Sequence, residues 1–131
     1  MFFQSIGTDA NTSDNQFNQD ISNWDVSNVE NMRLMFWGNI SFNRDLSTWD
    51  VSNVTLMDNL LWNADIFNQD LSNWDTSNVI DMSYMFSALS SDATKTHKFN
   101  QDISKWDVRN VKNMEGMFSI FYSNLYPRQS L

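Results

Sequence analysis

Three features of this sequence predict an α/β repeat solenoid of about four and a half turns, each turn a short parallel strand followed by a short helix. The phrase Phe-Asn-x-Asp-(Ile/Leu)-Ser-x-Trp-Asp occurs four times, beginning at Phe17, Phe42, Phe67 and Phe99. Each copy is followed at a fixed distance by Asn-Val-x-x-Met. The first two spacings are 25 residues and the third is 32, so one unit is repeated in tandem with a seven-residue insertion. Tandem units of this length bury their apolar faces against one another and present a long repeated surface, which points to a binding or structural protein.

The single domain 1–131 divides into a partial N-terminal turn and loop (1–16), repeats at 17–41, 42–66, 67–98 and 99–118, and a C-terminal tail or cap (119–131). Within a unit the apolar rhythm changes. Trp24 and Val26 alternate around Asp25, the two-residue period of a strand. Val29, Met32, Met35 and Phe36 follow the i, i+3, i+6, i+7 spacing of one helical face. Between them lie Ser27-Asn28, Ser52-Asn53, Ser77-Asn78 and Arg109-Asn110, placed to cap the helix. Asn18, Asn43, Asn68 and Asn100 recur at one place in successive turns, where their amides are expected to bond the backbone of neighbouring loops. Trp24, Trp49, Trp74 and Trp106 are the expected structural core, inward-facing and stacked, with the periodic Met and Phe filling around them.

The unit from Trp24 through Phe36, preceded by Phe17-Asn18-Gln19-Asp20-Ile21-Ser22, resembles the 25- or 26-residue repeat of bacterial surface proteins and mycoplasma lipoproteins. That family is grouped with the BspA-like leucine-rich repeats. The resemblance covers Phe17 to Phe118. It implies a right-handed, leucine-rich-repeat-like solenoid exposed at a cell surface or outside the cell and used for attachment or assembly, an intracellular or virion location staying open. It carries no catalytic chemistry. Departures from the pattern are Leu60-Leu61 in place of Met-Phe, Thr76 in place of Val and Arg109 in place of Ser.

The composition narrows the partners. Net charge is −8, which disfavours nucleic acid and anionic membranes, since both require clustered Lys and Arg. The charge is also uneven: residues 1–81 carry twelve acids against Arg33 and Arg44, a balance of −10, and residues 82–131 carry four acids against six bases, a balance of +2. Cysteine is absent, which excludes disulfides and thiolate metal sites. No apolar run approaches the ~18 residues that span a bilayer, so no membrane insertion is expected. The sequons at Asn11, Asn39 and Asn53 are weak signals in a chain rich in Asn and Ser.

Two rows of carboxylates run along the repeats. Asp25, Asp50, Asp75 and Asp107 are expected to face outward, about 4.8 Å apart from turn to turn. Asp20, Asp45, Asp70 and Asp102 form a second row. Like charges so close need compensation, by backbone amides and solvent, by calcium, or by a basic partner. Phe3, Trp37 and Trp62 form an aromatic stripe in the first half, either local core or a contact patch. His97 lies among lysines in the insertion and reads as solvated. With three glycines, one histidine and no cysteine, no catalytic constellation, cofactor or metal set is expected.

Three roles fit these features: a self-assembling subunit that engages protein, itself included, head to tail; an adhesion module that binds a separate ligand through its acidic face; and a calcium-stiffened or carbohydrate-binding repeat. The sites expected to meet a partner are Asp25, Asp50, Asp75, Asp107, Phe3, Trp37 and Trp62.

Overall fold

A computed structural model of the chain describes residues 16–90 and 97–122. It overturns the strand-plus-helix solenoid. Among the described residues there is no helix, and the only strands are β1 (Ala88–Ser90) and β2 (Ile120–Tyr122). These pair in parallel, Ala88 opposite Ile120 and Ser90 opposite Tyr122. Neither the Trp24–Val26 segment nor its counterparts form strands, and Val29–Phe36 does not form a helix.

The helix fails for a backbone reason. Leu34, Asn59, Tyr84 and Gly116 occupy one position in the four repeats, and all four have φ between 55° and 60°. A left-handed residue in the middle of the segment stops any right-handed helix. The chain instead makes two overlapping turns, seen in repeat one as Met35 N–H donating to Met32 C=O and Trp37 N–H to Leu34 C=O. Turns of three residues place Met32 and Met35 at the same spacing as a helical face would. The apolar pattern mimics that of a helix because the two periods coincide over so short a run.

The amides that a helix would use internally run between repeats. Met32, Leu34 and Phe36 donate to the carbonyls of Leu56, Asp58 and Leu60, and the pattern recurs from repeat two to three and from three to four. Single parallel bridges connect Asn31 to Leu56, Leu56 to Asp81 and Asp81 to Asn113, forming one row across all four repeats. Each repeat therefore hangs from the next by main-chain bonds, with little internal regular structure.

Around these bonds the apolar positions make a continuous core of stacked rows. Phe17, Phe42, Phe67 and Phe99 stack with ring centroids 6.1, 5.9 and 6.2 Å apart. Val51, Val54, Met57, Leu60, Leu71, Val79, Met82 and Met85 are sealed from solvent. Thr76, the polar departure at a core position, is buried and donates its hydroxyl to Asp107 C=O. Three of the four tryptophans are buried, and each donates its indole N–H to the preceding repeat: Trp49 to Ile21 C=O, Trp74 to Leu46 C=O and Trp106 to Leu71 C=O. Trp24 differs. It is the first of the row and stands 36% exposed.

Candidate functional site

The outward rows are built by short polar side chains that fold back on their own backbone. Asp25, Asp50 and Asp75 each accept the amide of the residue two positions on, Ser27, Ser52 and Ser77, at 3.0 Å. The serine hydroxyls of Ser27 and Ser52 also donate to the same oxygens at 2.6 Å. Asp20, Asp45, Asp70 and Asp102 make the same Asx turn with Ser22, Ser47, Ser72 and Ser104. Asp107 accepts the amide of Arg109 and takes its guanidinium in a two-pronged ion pair, Nη2 to Oδ2 at 2.7 Å. These bonds answer the repulsion within the rows. Hydrogen bonds from Ser27, Ser52 and Ser77 hold the carboxyls of Asp25, Asp50 and Asp75 below their ordinary value, and the Arg109 side chain brings Asp107 down to about 2. Among the described residues no group of three or more His, Cys, Asp or Glu gathers to hold a metal ion.

Two asparagine rows link the repeats. Asn18, Asn43 and Asn68 each accept, through the side-chain oxygen, the amide of the next asparagine in the row, at 3.2, 2.9 and 2.8 Å. Gln69 and Gln101 add a second donor to Asn43 and Asn68, and Arg44 donates to Asn18 C=O. The second row corrects the capping expectation. With no helix to cap, Asn53, Asn78 and Asn110 turn their side-chain NH2 groups to the carbonyls of Ser27, Ser52 and Ser77 at 2.6–2.7 Å. The sequon at Asn39 is closed in the same way: the residue is buried and its NH2 donates to Phe17 C=O.

The aromatic stripe is reduced to one pair in the described residues. Trp37 and Trp62 stack at 5.0 Å with planes 12° apart, both half-buried, and Phe3 lies outside the described residues. His97 sets its Nε2 2.5 Å from Phe118 C=O and its ring edge against the Phe118 ring, so it braces the last repeat. Sequence reasoning missed the Arg33–Asp58 ion pair, 2.9 Å long, in which Asp58 is buried. The signal was present in the spacing: 58 − 33 is 25, one repeat length.

The feature that stands out lies at the end of repeat four. Val108, Met114 and Phe118 are 43%, 43% and 45% exposed. Their counterparts in the earlier repeats, among them Val51, Met57, Met82 and Phe86, are buried. The difference follows from the direction in which the side chains lean. Phe36 packs on Phe42 and Trp49, and Phe86 packs on Phe99 and Trp106, in each case the Phe and Trp of the following repeat. Phe118 has no such pair in front of it among the described residues. The amides of Met114, Gly116 and Phe118 likewise have no acceptor among the described residues, whereas Met82, Tyr84 and Phe86 at the same positions donate to Asn113, Glu115 and Met117.

A family model described as Mycoplasma protein of unknown function, DUF285, matches this chain twice, over residues 8–96 and over residues 53–124. No curated protein and no solved structure matches it.

Proposed function

This chain belongs to the DUF285 family, whose description assigns no function, and we propose from its own geometry that it is a non-catalytic structural module that engages other protein chains end to end. The observation that carries this reading is the far side of repeat four, where Val108, Met114 and Phe118 are exposed and the amides of Met114, Gly116 and Phe118 have no acceptor among the described residues. An unpaired backbone edge beside exposed apolar surface is a template for another chain, and main-chain bonds would supply much of its affinity. The resemblance to surface-protein repeats supports a cell-surface location for this engagement.

A contact that joins one end of a molecule to the other end of the next is heterologous, so it builds open filaments unless its rotation closes a ring. Sedimentation velocity over a wide concentration range, at low and high salt, tests the reading. Association that grows with concentration is expected. A strict monomer at the highest concentration and lowest ionic strength overturns it.

A further inference from the structure

We infer that repeat two carries a binding site for a neutral sugar, in which a pyranose ring stacks on the face of Trp62 turned toward repeat three and hydrogen-bonds to the Trp62 indole N–H and the Asn63 amide. The inference goes beyond the end-to-end reading and does not depend on it.

The site begins as an interruption in an aromatic row. Trp37 and Trp62 lie ring on ring at 5.0 Å with planes 12° apart. Repeat three puts Ser87 at the same place. Ser87 is buried and donates its hydroxyl to Gly116 C=O in repeat four, on the side away from Trp62. Trp62 is half-buried with one face on Trp37, so what it shows to solvent is its other face and its ring edge. The break falls between repeats two and three, in the interior of the stack.

Hydrogen-bonding groups with capacity to spare surround that face. The indole N–H groups of Trp49, Trp74 and Trp106 are all bonded, whereas that of Trp62 has no acceptor among the described residues. Asn63 reaches toward repeat three, where its side-chain oxygen accepts the Leu89 amide at 3.1 Å. A backbone N–H can only donate, so the oxygen must face it, and the Asn63 NH2 is left without an acceptor among the described residues. The same bond brings Leu89, 39% exposed, to this edge. Asn59 is held next to Trp62 by the turn bond from Trp62 N–H to Asn59 C=O, and its side-chain oxygen is also unbonded among the described residues.

This combination occurs in repeat two alone. At the places of Asn59, Trp62 and Asn63, repeat one has Leu34, Trp37 and Gly38, and repeat three has Tyr84, Ser87 and Ala88. The stack does not require it, because Gly38 and Ala88 donate their amides to the next repeat just as Asn63 does.

A pyranose matches these groups. One side of the sugar ring is a patch of weakly positive C–H groups, suited to the negative face of an indole, and its hydroxyls both donate and accept. Trp62 and Asn63 supply donors, Asn59 supplies an acceptor, and all are uncharged. An apolar side chain of a protein would cover the ring but leave those polar groups unpaired.

Titration of the isotope-labelled full chain with cellotriose, maltotriose and tri-N-acetylchitotriose, read by NMR at the Trp62 indole N–H, tests the site; Trp62→Phe assigns the resonance. At least one of these sugars is expected to shift it, with a dissociation constant on the order of 1 mM. Trp62→Ala is expected to abolish the binding, with a thermal melt to check folding. Asn63→Asp keeps an oxygen for the Leu89 amide but removes the NH2, and is expected to weaken binding about tenfold in a folded chain. No shift with any of the three sugars at about 50 mM overturns the inference, and so does binding that Asn63→Asp leaves unchanged. A shift produced by N-acetyltyrosine amide and by none of the sugars overturns it too, since the face would then take a protein side chain.

Discussion

The indole N–H of Trp74 donates to the main-chain carbonyl of Leu46, 2.9 Å away in the preceding repeat, and the bond is wholly buried. The same carbonyl also accepts the Trp49 amide at 3.1 Å, so one oxygen joins two repeats. Trp74 thus contributes packing and a bond, and two substitutions separate them. Trp74→Phe should cost about 1 kcal/mol, the net value of a hydrogen bond whose acceptor keeps another donor. Trp74→Ala should cost about 3–5 kcal/mol by leaving a cavity in the core. Urea unfolding reads both, and equal losses in the two variants would show that the bond, not the ring, matters.

Asn43 occupies the middle of the asparagine row, where its side-chain oxygen accepts from Asn68 N–H and Gln69. Asn43→Ala removes that acceptor and should destabilise by about 1 kcal/mol. Asn43→Asp keeps an oxygen in place and should sit much closer to the unmutated chain at neutral pH. The ordering of the two midpoints in denaturant is the check, and an Asp variant as weak as the Ala variant would count against the row.

Leu34 is an exposed leucine held at φ 60°. Left-handed backbone costs a branched or bulky residue about 1 kcal/mol, and asparagine tolerates it better. Asn59 already stands at this position in repeat two. Leu34→Asn should therefore raise stability by about 0.5–1 kcal/mol. At the other end of the row Gly116→Ala should lower it, since a β-carbon there would run into the Tyr84 ring. Melting temperatures of the two variants should move in opposite directions.

Seven aspartates, Asp20, Asp25, Asp50, Asp70, Asp75, Asp102 and Asp107, have carboxyls held below the ordinary value of 3.8, chiefly by hydrogen bonds from the residue two positions on. A folded-state value below the unfolded one means that the folded chain binds fewer protons, so these groups stabilise the fold above the ordinary carboxylate range. That contribution is lost as pH falls through their lowered values, to about 2 for Asp107. Thermal midpoints should be flat near neutrality and fall as pH drops below about 4. A midpoint unchanged down to pH 2 would contradict the turn bonds.

The repeat and most of the buried positions were legible because identical positions recur at 25 residues and must meet equivalent neighbours. The asparagine row was legible for the same reason. Local conformation was not. Whether Val29 to Phe36 coils as a helix or makes paired turns depends on the backbone at Leu34, Asn59, Tyr84 and Gly116, four residue types with no shared preference. The amides in that segment bond to the next repeat, and such long-range bonds override the weak propensity of a run this short. The exposure of Trp24 was not legible, since its repeat carries the same motif as the others. Arg33 and Asp58 were passed over because they form a pair once and not in every repeat.

Phe67 and Phe99 stack at 6.2 Å, and Asn100 bonds to Asn68 at 2.8 Å, although 32 residues separate these partners where 25 separate the others. The fold therefore keeps count by bonding partner and not by chain length. Extra residues that leave after β1 and return before Phe99 cost the stack none of its contacts. A protein engineer wanting to display a guest peptide without disturbing the stack would insert it between β1 and Phe99.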